Sequence, residues 1–86
     1  MAGSKRADRV GFAVAFGKRI RAARVAAELS LSGVREVAGI PKGMMNALEN
    51  GRREPSTWTV HQLALAFGCS PGDLFPPLEE IDAETV

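Results

Sequence analysis

Lys42 and Asn46 stand one helical turn apart in the stretch from Gly39 to Ser56, and their side chains are the best placed in the chain for chemistry with a partner. An ammonium and an amide on one helix face offer hydrogen bonds to an anionic, acceptor-rich surface. Met45 and Leu48 fall on the other side of the same stretch, so the spacing predicts a helix with one buried and one polar face. Gly39 turns the chain into it and Asn50-Gly51 ends it. Arg52 and Arg53 follow at once. A short helix bracketed by glycines, with two arginines beside it, presents a probe to a polyanion. These residues read as a DNA-recognition helix.

No comparable set supports catalysis. His61 has no Asp, Ser or second Cys pattern around it, and neither paired pocket carboxylates nor a phosphate loop is present. The chain is therefore not expected to be an enzyme, and no cofactor is implied. The single cysteine, Cys69, excludes an internal disulfide and a multi-cysteine zinc site, with only His61 to partner it, so no metal is expected.

The elements that must position the probe are helical throughout. From Asp8 or Val10 to Glu28, Phe12, Phe16, Ile20, Ala23 and Ala27 form one amphipathic stripe with Lys18, Arg19 and Arg21 off it; Gly11 and Gly17 weaken this helix. Ser30 caps a second helix from Leu31 to Ala38, with Val34 and Val37 inward. Pro41 fits the first turn of the third, where its missing N–H costs nothing. Ser56 caps a fourth helix through Phe67, with Val60, Leu63, Ala64 and Phe67 as its core stripe. Ser70-Pro71-Gly72-Asp73 opens a short fifth with Leu74 and Phe75 buried, and Pro76-Pro77 stops it. There is no strand signal. The expected fold is all-α, in three parts: a flexible basic arm at 1–8, a five-helix domain at 9–77 and an acidic tail at 78–86.

Composition sets the partners. Eighty-six residues, 45% hydrophobic and 24% charged, make one domain with one modest core, for which dimer formation is a plausible source of stability. Apolar runs are broken by Arg or Lys, so no segment spans a bilayer, and no signal-peptide pattern follows the basic N-terminus. A cytoplasmic protein is expected. The net charge of +1 hides an asymmetry: without the four acids after Pro77 (Glu79, Glu80, Asp82, Glu84) the body carries 11 basic against 6 acidic residues. Such a body favours an anionic partner.

The chain resembles the phage-repressor and Cro type of helix-turn-helix proteins, the xenobiotic-response-element family with the lambda-repressor-like fold. The resemblance runs from Phe16 to Phe75, some two-thirds of the chain. It rests on Phe16-Gly17-Lys18-Arg19-Ile20-Arg21 with Arg24, on Leu29-Ser30 and Gly39-Ile40, and on the run from Glu49 to Ser56 (Glu-Asn-Gly-Arg-Arg-Glu-Pro-Ser). Leu63 to Ser70, with Leu74-Phe75, completes it.

The resemblance implies that helices two and three form the helix-turn-helix, that the third enters the major groove of double-stranded DNA, and that most members bind as homodimers to paired half-sites. Carried over by position, Lys42, Gly43 and Asn46 face bases with Met44 beside them, and Arg24 and Glu49 form a structural ion pair. Lys42 then reaches guanine or a phosphate, Asn46 pairs with adenine, Gly43 permits close approach and Met44 touches a thymine methyl or packs. Arg52 and Arg53 lie near phosphate, with Glu54 set to neutralise one of them. The N–H groups opening helix four at Ser56 and Thr57 suit another phosphate. Ser32 on helix two is a further phosphate candidate. Two positions depart from the family pattern. Leu31 replaces a phosphate-reaching glutamine, and Arg35 replaces the small residue between helices two and three, so its stem must snorkel outward and adds charge near the groove.

The implied function is a sequence-selective transcriptional regulator, a repressor of the operator-occupying kind. The rival is a protein-interaction module that keeps the fold and binds a partner through Trp58 or the acidic tail. Trp58 itself either packs locally or lies in such a contact.

Overall fold

A computed structural model describes residues 5–81 and 83–85, the segments 5–7 and 83–85 by their backbone alone. The first four residues of the expected basic arm, and Asp82 and Val86 of the acidic tail, lie outside the described residues.

The phenylalanine stripe drives the first helix, α1 (Arg9–Ala26). Asp8 caps it, its carboxylate accepting from the Val10 N–H at 3.1 Å. It ends where Glu28 takes a left-handed conformation, φ 57°. The second helix, α2 (Leu31–Ala38), starts on Ser30, whose hydroxyl oxygen accepts from the Gly33 N–H at 3.0 Å. Gly39 at φ 72° then makes the left-handed turn that only glycine adopts without cost. The third, α3 (Lys42–Glu49), begins one residue later than expected: Pro41 is its extended cap residue and makes no side-chain cap bond. The fourth, α4 (Thr57–Phe67), is capped by the Ser56 hydroxyl and closed by Gly68.

The fifth helical element is a single 3₁₀ turn, Pro71–Leu74, with a reciprocal cap between Ser70 and Asp73. A second 3₁₀ turn follows at Leu78–Glu80. The fold is all-α with the helix-turn-helix at α2–α3. One feature was not expected from the sequence: β1 (Lys5–Ala7) and β2 (Ala83–Thr85) pair antiparallel, with Arg6 opposite Glu84. Three residues per strand leave no room for the alternation that marks a strand in sequence.

Phe16, Ile20, Val34, Met45, Leu48, Val60, Leu63 and Leu74 form one core drawn from all four α-helices and the 3₁₀ turn. Two core assignments need correction. Val37 is 61% exposed, because α2 turns only Val34 fully inward. Phe75 falls beyond the short 3₁₀ turn and is 46% exposed, although its ring still packs on Phe16 at 4.8 Å. Among the described residues no helix is long and apolar enough to cross a membrane.

Candidate nucleic-acid interface

The inner side of α3 is fixed before its outer side can matter. Met45 and Leu48 are fully buried. At the helix end the Glu49 carboxylate accepts two hydrogen bonds from the Arg24 guanidinium, at 2.7 and 3.0 Å, and Arg24 also donates to the Leu29 carbonyl at 2.9 Å. One side chain thus ties α1, the α1–α2 turn and α3 together. The hydrogen bond to Glu49 raises the Arg24 pKa above its ordinary value.

Gly17 makes this approach possible. A Cβ there would run into the backbone carbonyls of Leu48 and Glu49. Gly17 read in sequence as a weakness of α1, yet it is the seat for the C-terminal end of α3. A spacing of seven residues, Gly17 to Arg24, puts both on one face of α1 and was the available signal.

With that side fixed, Lys42, Gly43 and Asn46 are exposed on the outer face of α3. A Cβ on Gly43 would meet nothing within 4 Å, so no contact inside the molecule demands glycine there. Met44 does not join this face: it is half-buried and packs against the core. The Asn46 side-chain oxygen accepts a hydrogen bond from the Asn50 amide at 2.7 Å, and the same amide donates to the Asn46 backbone carbonyl. In sequence Asn50 marks only the end of the helix with Gly51.

Arg52 and Arg53 are exposed beyond Gly51. Glu54 neutralises neither of them. Its carboxylate turns to Arg9 at the start of α1, at 2.8 Å, and so leaves both arginines without an acidic partner among the described residues. That hydrogen bond raises the Arg9 pKa. No local pattern could reveal a pair separated by 45 positions. Between these elements lies an open groove of about 620 Å³, lined by Arg9, Val10, Met44, Arg52, Arg53 and Ser56 among others.

Ser56 and Thr57 are exposed at the start of α4. The Ser56 hydroxyl is already engaged, accepting from the Thr59 N–H at 3.1 Å and sitting 3.0 Å from the Thr59 hydroxyl. What this end offers an anion is the outward N–H groups of the first turn. Ser32 and Arg35 are exposed on α2. Arg35 is turned out to solvent, while buried Val34 and half-buried Ala38 fill the core side of α2. Cys69 is half-buried, and burial pushes its thiol pKa up, with the Asp73 charge adding to the shift, which keeps it in the unreactive protonated form.

A family model described as a helix-turn-helix domain matches residues 15–78. The chain belongs to this helix-turn-helix family. It is a family of DNA-binding transcription regulators, and solved structures agree. The restriction-modification controller protein C.AhdI from Aeromonas hydrophila is 31% identical, with a TM-score of 0.75 over 79% of this chain and 99% of that one. The clp gene regulator ClgR from C. glutamicum is 28% identical, with a TM-score of 0.68 over 80% and 86%. The BldD DNA-binding domain from S. venezulae is 28% identical, with a TM-score of 0.68 over 76% and 97%. Among curated proteins none matches the sequence. The matched residues include α2 and α3, whose anchored and free faces are those described above.

Proposed function

We propose that this chain is a sequence-selective regulator of double-stranded DNA, a cytoplasmic repressor that occupies its operator as a homodimer with α3 in the major groove. The observation that carries the reading is the division of α3: Met45, Leu48 and Glu49 are held inside, while Lys42, Gly43 and Asn46 are exposed on the opposite face. Lys42 and Asn46 read base edges, and Gly43 lets the helix backbone come close. Arg52, Arg53 and the first-turn N–H groups at Ser56 and Thr57 grip phosphate on one flank, with Ser32 and Arg35 on the other. Met44, half-buried, adds at most the edge of its thioether to a thymine methyl. That relatives of similar length and fold include a restriction-modification controller and a DNA-binding domain supports the same reading.

With only two long polar side chains facing the groove, base readout is sparse, and DNA shape and the spacing of two half-sites supply the remaining selectivity. The test is a titration of labelled genomic fragments at two salt concentrations. A preferred fragment and a steep salt dependence are expected. Lys42→Ala should cost about 1–3 kcal/mol and relax sequence preference, whereas Arg52→Ala should weaken all fragments alike and lower the salt slope by about one. Binding that appears only at low salt and prefers no fragment would reduce the chain to a polycation and defeat the proposal.

A further inference from the structure

After α4 the chain returns across α1 rather than leaving the body. Leu74 and Pro76 are buried, the Phe75 ring packs on Phe16, and Ile81 is buried in turn. Between them the Glu80 carboxylate accepts from the Arg19 guanidinium at 3.0 Å. From there the backbone reaches the start of α1, where β2 runs antiparallel to β1 with Lys5 opposite Thr85, Arg6 opposite Glu84 and Ala7 opposite Ala83. An acidic segment, Glu79 to Glu84, is thereby laid beside the basic Lys5-Arg6.

The root of the basic strand matters as much as its partner. Only Asp8 separates β1 from α1, and Arg9, the first residue of α1, is held by Glu54 at the rim of the groove that carries Arg52 and Arg53. The basic strand therefore leaves the body at the edge of the face to which phosphate contact is assigned above.

We propose that the acidic tail is an intramolecular competitor for the basic arm: paired through β1 and β2, and strapped to α1 by Arg19 and Glu80, it withholds Lys5 and Arg6 from a polyanion until the polyanion displaces it. The strap is built to open. A two-stranded sheet of three residues a side is marginal by itself, and the half-exposed Arg19–Glu80 pair is weak and screened by salt. What closes it is the tether, since both strands are rooted on α1 and meet at an effective concentration of roughly millimolar. A duplex, with one negative charge per about 1.7 Å of axis, outweighs four carboxylates, whereas a sparse anion does not. The tail thus sets a threshold of charge density for engaging the arm. The competition rests on the charges of arm and tail, and only its effect at an operator rests on the reading above.

The test locks the strands without changing charge. Ala7→Cys with Ala83→Cys, in a Cys69→Ala background, sets two thiols at directly opposed strand positions, where Cα separations of about 4.5–5.5 Å suit a disulfide. On a heparin column the reduced form should elute at higher salt than the oxidised form. On a duplex of arbitrary sequence the reduced form should bind about two- to fivefold tighter at low salt, with a salt slope steeper by up to about two, one for each of Lys5 and Arg6. Equal elution and equal slopes would overturn the proposal, as would failure of the disulfide to form in the free protein. In the otherwise unaltered chain Glu80→Gln should raise the eluting salt more than Glu28→Gln, which removes the same charge from an exposed position beyond the far end of α1. Equal shifts would reduce the tail to a net-charge effect and also overturn it. A redox-dependent shift on heparin with no preferred genomic fragment would remove the operator reading and leave the competition standing.

Discussion

Two arginine–glutamate pairs join α1 to the α3 region, alike in chemistry and unlike in surroundings. Arg24 and Glu49 are 15% and 8% exposed at their side chains, share two hydrogen bonds, and satisfy a third acceptor at Leu29. Arg9 and Glu54 meet at a similar distance, 2.8 Å, but Arg9 is 86% exposed. Water and salt screen the second pair, and two long side chains must be held still to keep it. The first has little water to fall back on if it is broken. Bond length does not separate the two. Burial does, and it makes one pair a rivet for α3 and the other a charge-balancing contact at the edge of the groove.

The widest gap between the two pairs should open on deleting one partner. Glu49→Ala leaves the Arg24 guanidinium partly buried without its acid and should cost about 3 kcal/mol, the low end of the range for such pairs. For a domain of this size that is a fall of about 15 °C in thermal midpoint. Arg24→Met together with Glu49→Leu should recover most of the loss, since an apolar pair removes both charges at once. A loss below about 1 kcal/mol for Glu49→Ala would place the two pairs in one class.

Gly17→Ala tests the same junction without touching charge. The added methyl meets the carbonyls of Leu48 and Glu49, so α3 must shift, at about 2 kcal/mol, the middle of the range for overpacking. Urea unfolding measures it. A neutral result would mean that α3 is not rigidly seated on α1.

The smallest effect on folding belongs to Glu54→Gln, for which no change in unfolding midpoint is expected. Its readout is on DNA, where releasing Arg9 and removing an acid beside Arg52 and Arg53 should raise affinity several-fold and steepen the salt slope by about one. A midpoint drop comparable to that of Glu49→Ala would cancel the distinction drawn between the pairs.

The comparison also explains what could be read from the sequence. α2 was legible residue by residue because its limits are local: Ser30 caps it and Gly39 turns out of it. The phenylalanine stripe of α1 was legible for the same reason, since periodicity is a property of one helix. Features that depend on what packs opposite were not legible. Val37 follows Val34 by three and looked equally inward, but which side of the stripe α3 and α4 cover is not written in α2. Glu54 stands beside Arg52 and Arg53, which in sequence sets it to neutralise one of them, whereas the chain fold turns it toward Arg9 near the other end. Gly17 carries only a propensity in isolation, and its meaning lies in the backbone of α3. Phe75 was lost to the core because four residues closed as a 3₁₀ turn rather than continuing as an α-helix.

The Asn46–Asn50 bond has a consequence for discrimination between bases. The bond occupies one of the two lone pairs of the Asn46 oxygen, so the amide N–H groups are its freer side. They seek the N7 acceptor that adenine and guanine share, while the engaged oxygen accepts more weakly from the N6 donor that sets adenine apart. On the operator reading the letter opposite Asn46 would therefore be degenerate, either purine serving, and selection from a randomised duplex pool would show it. Strict enrichment of adenine at that letter would mean instead that the intrahelical bond opens when the duplex arrives.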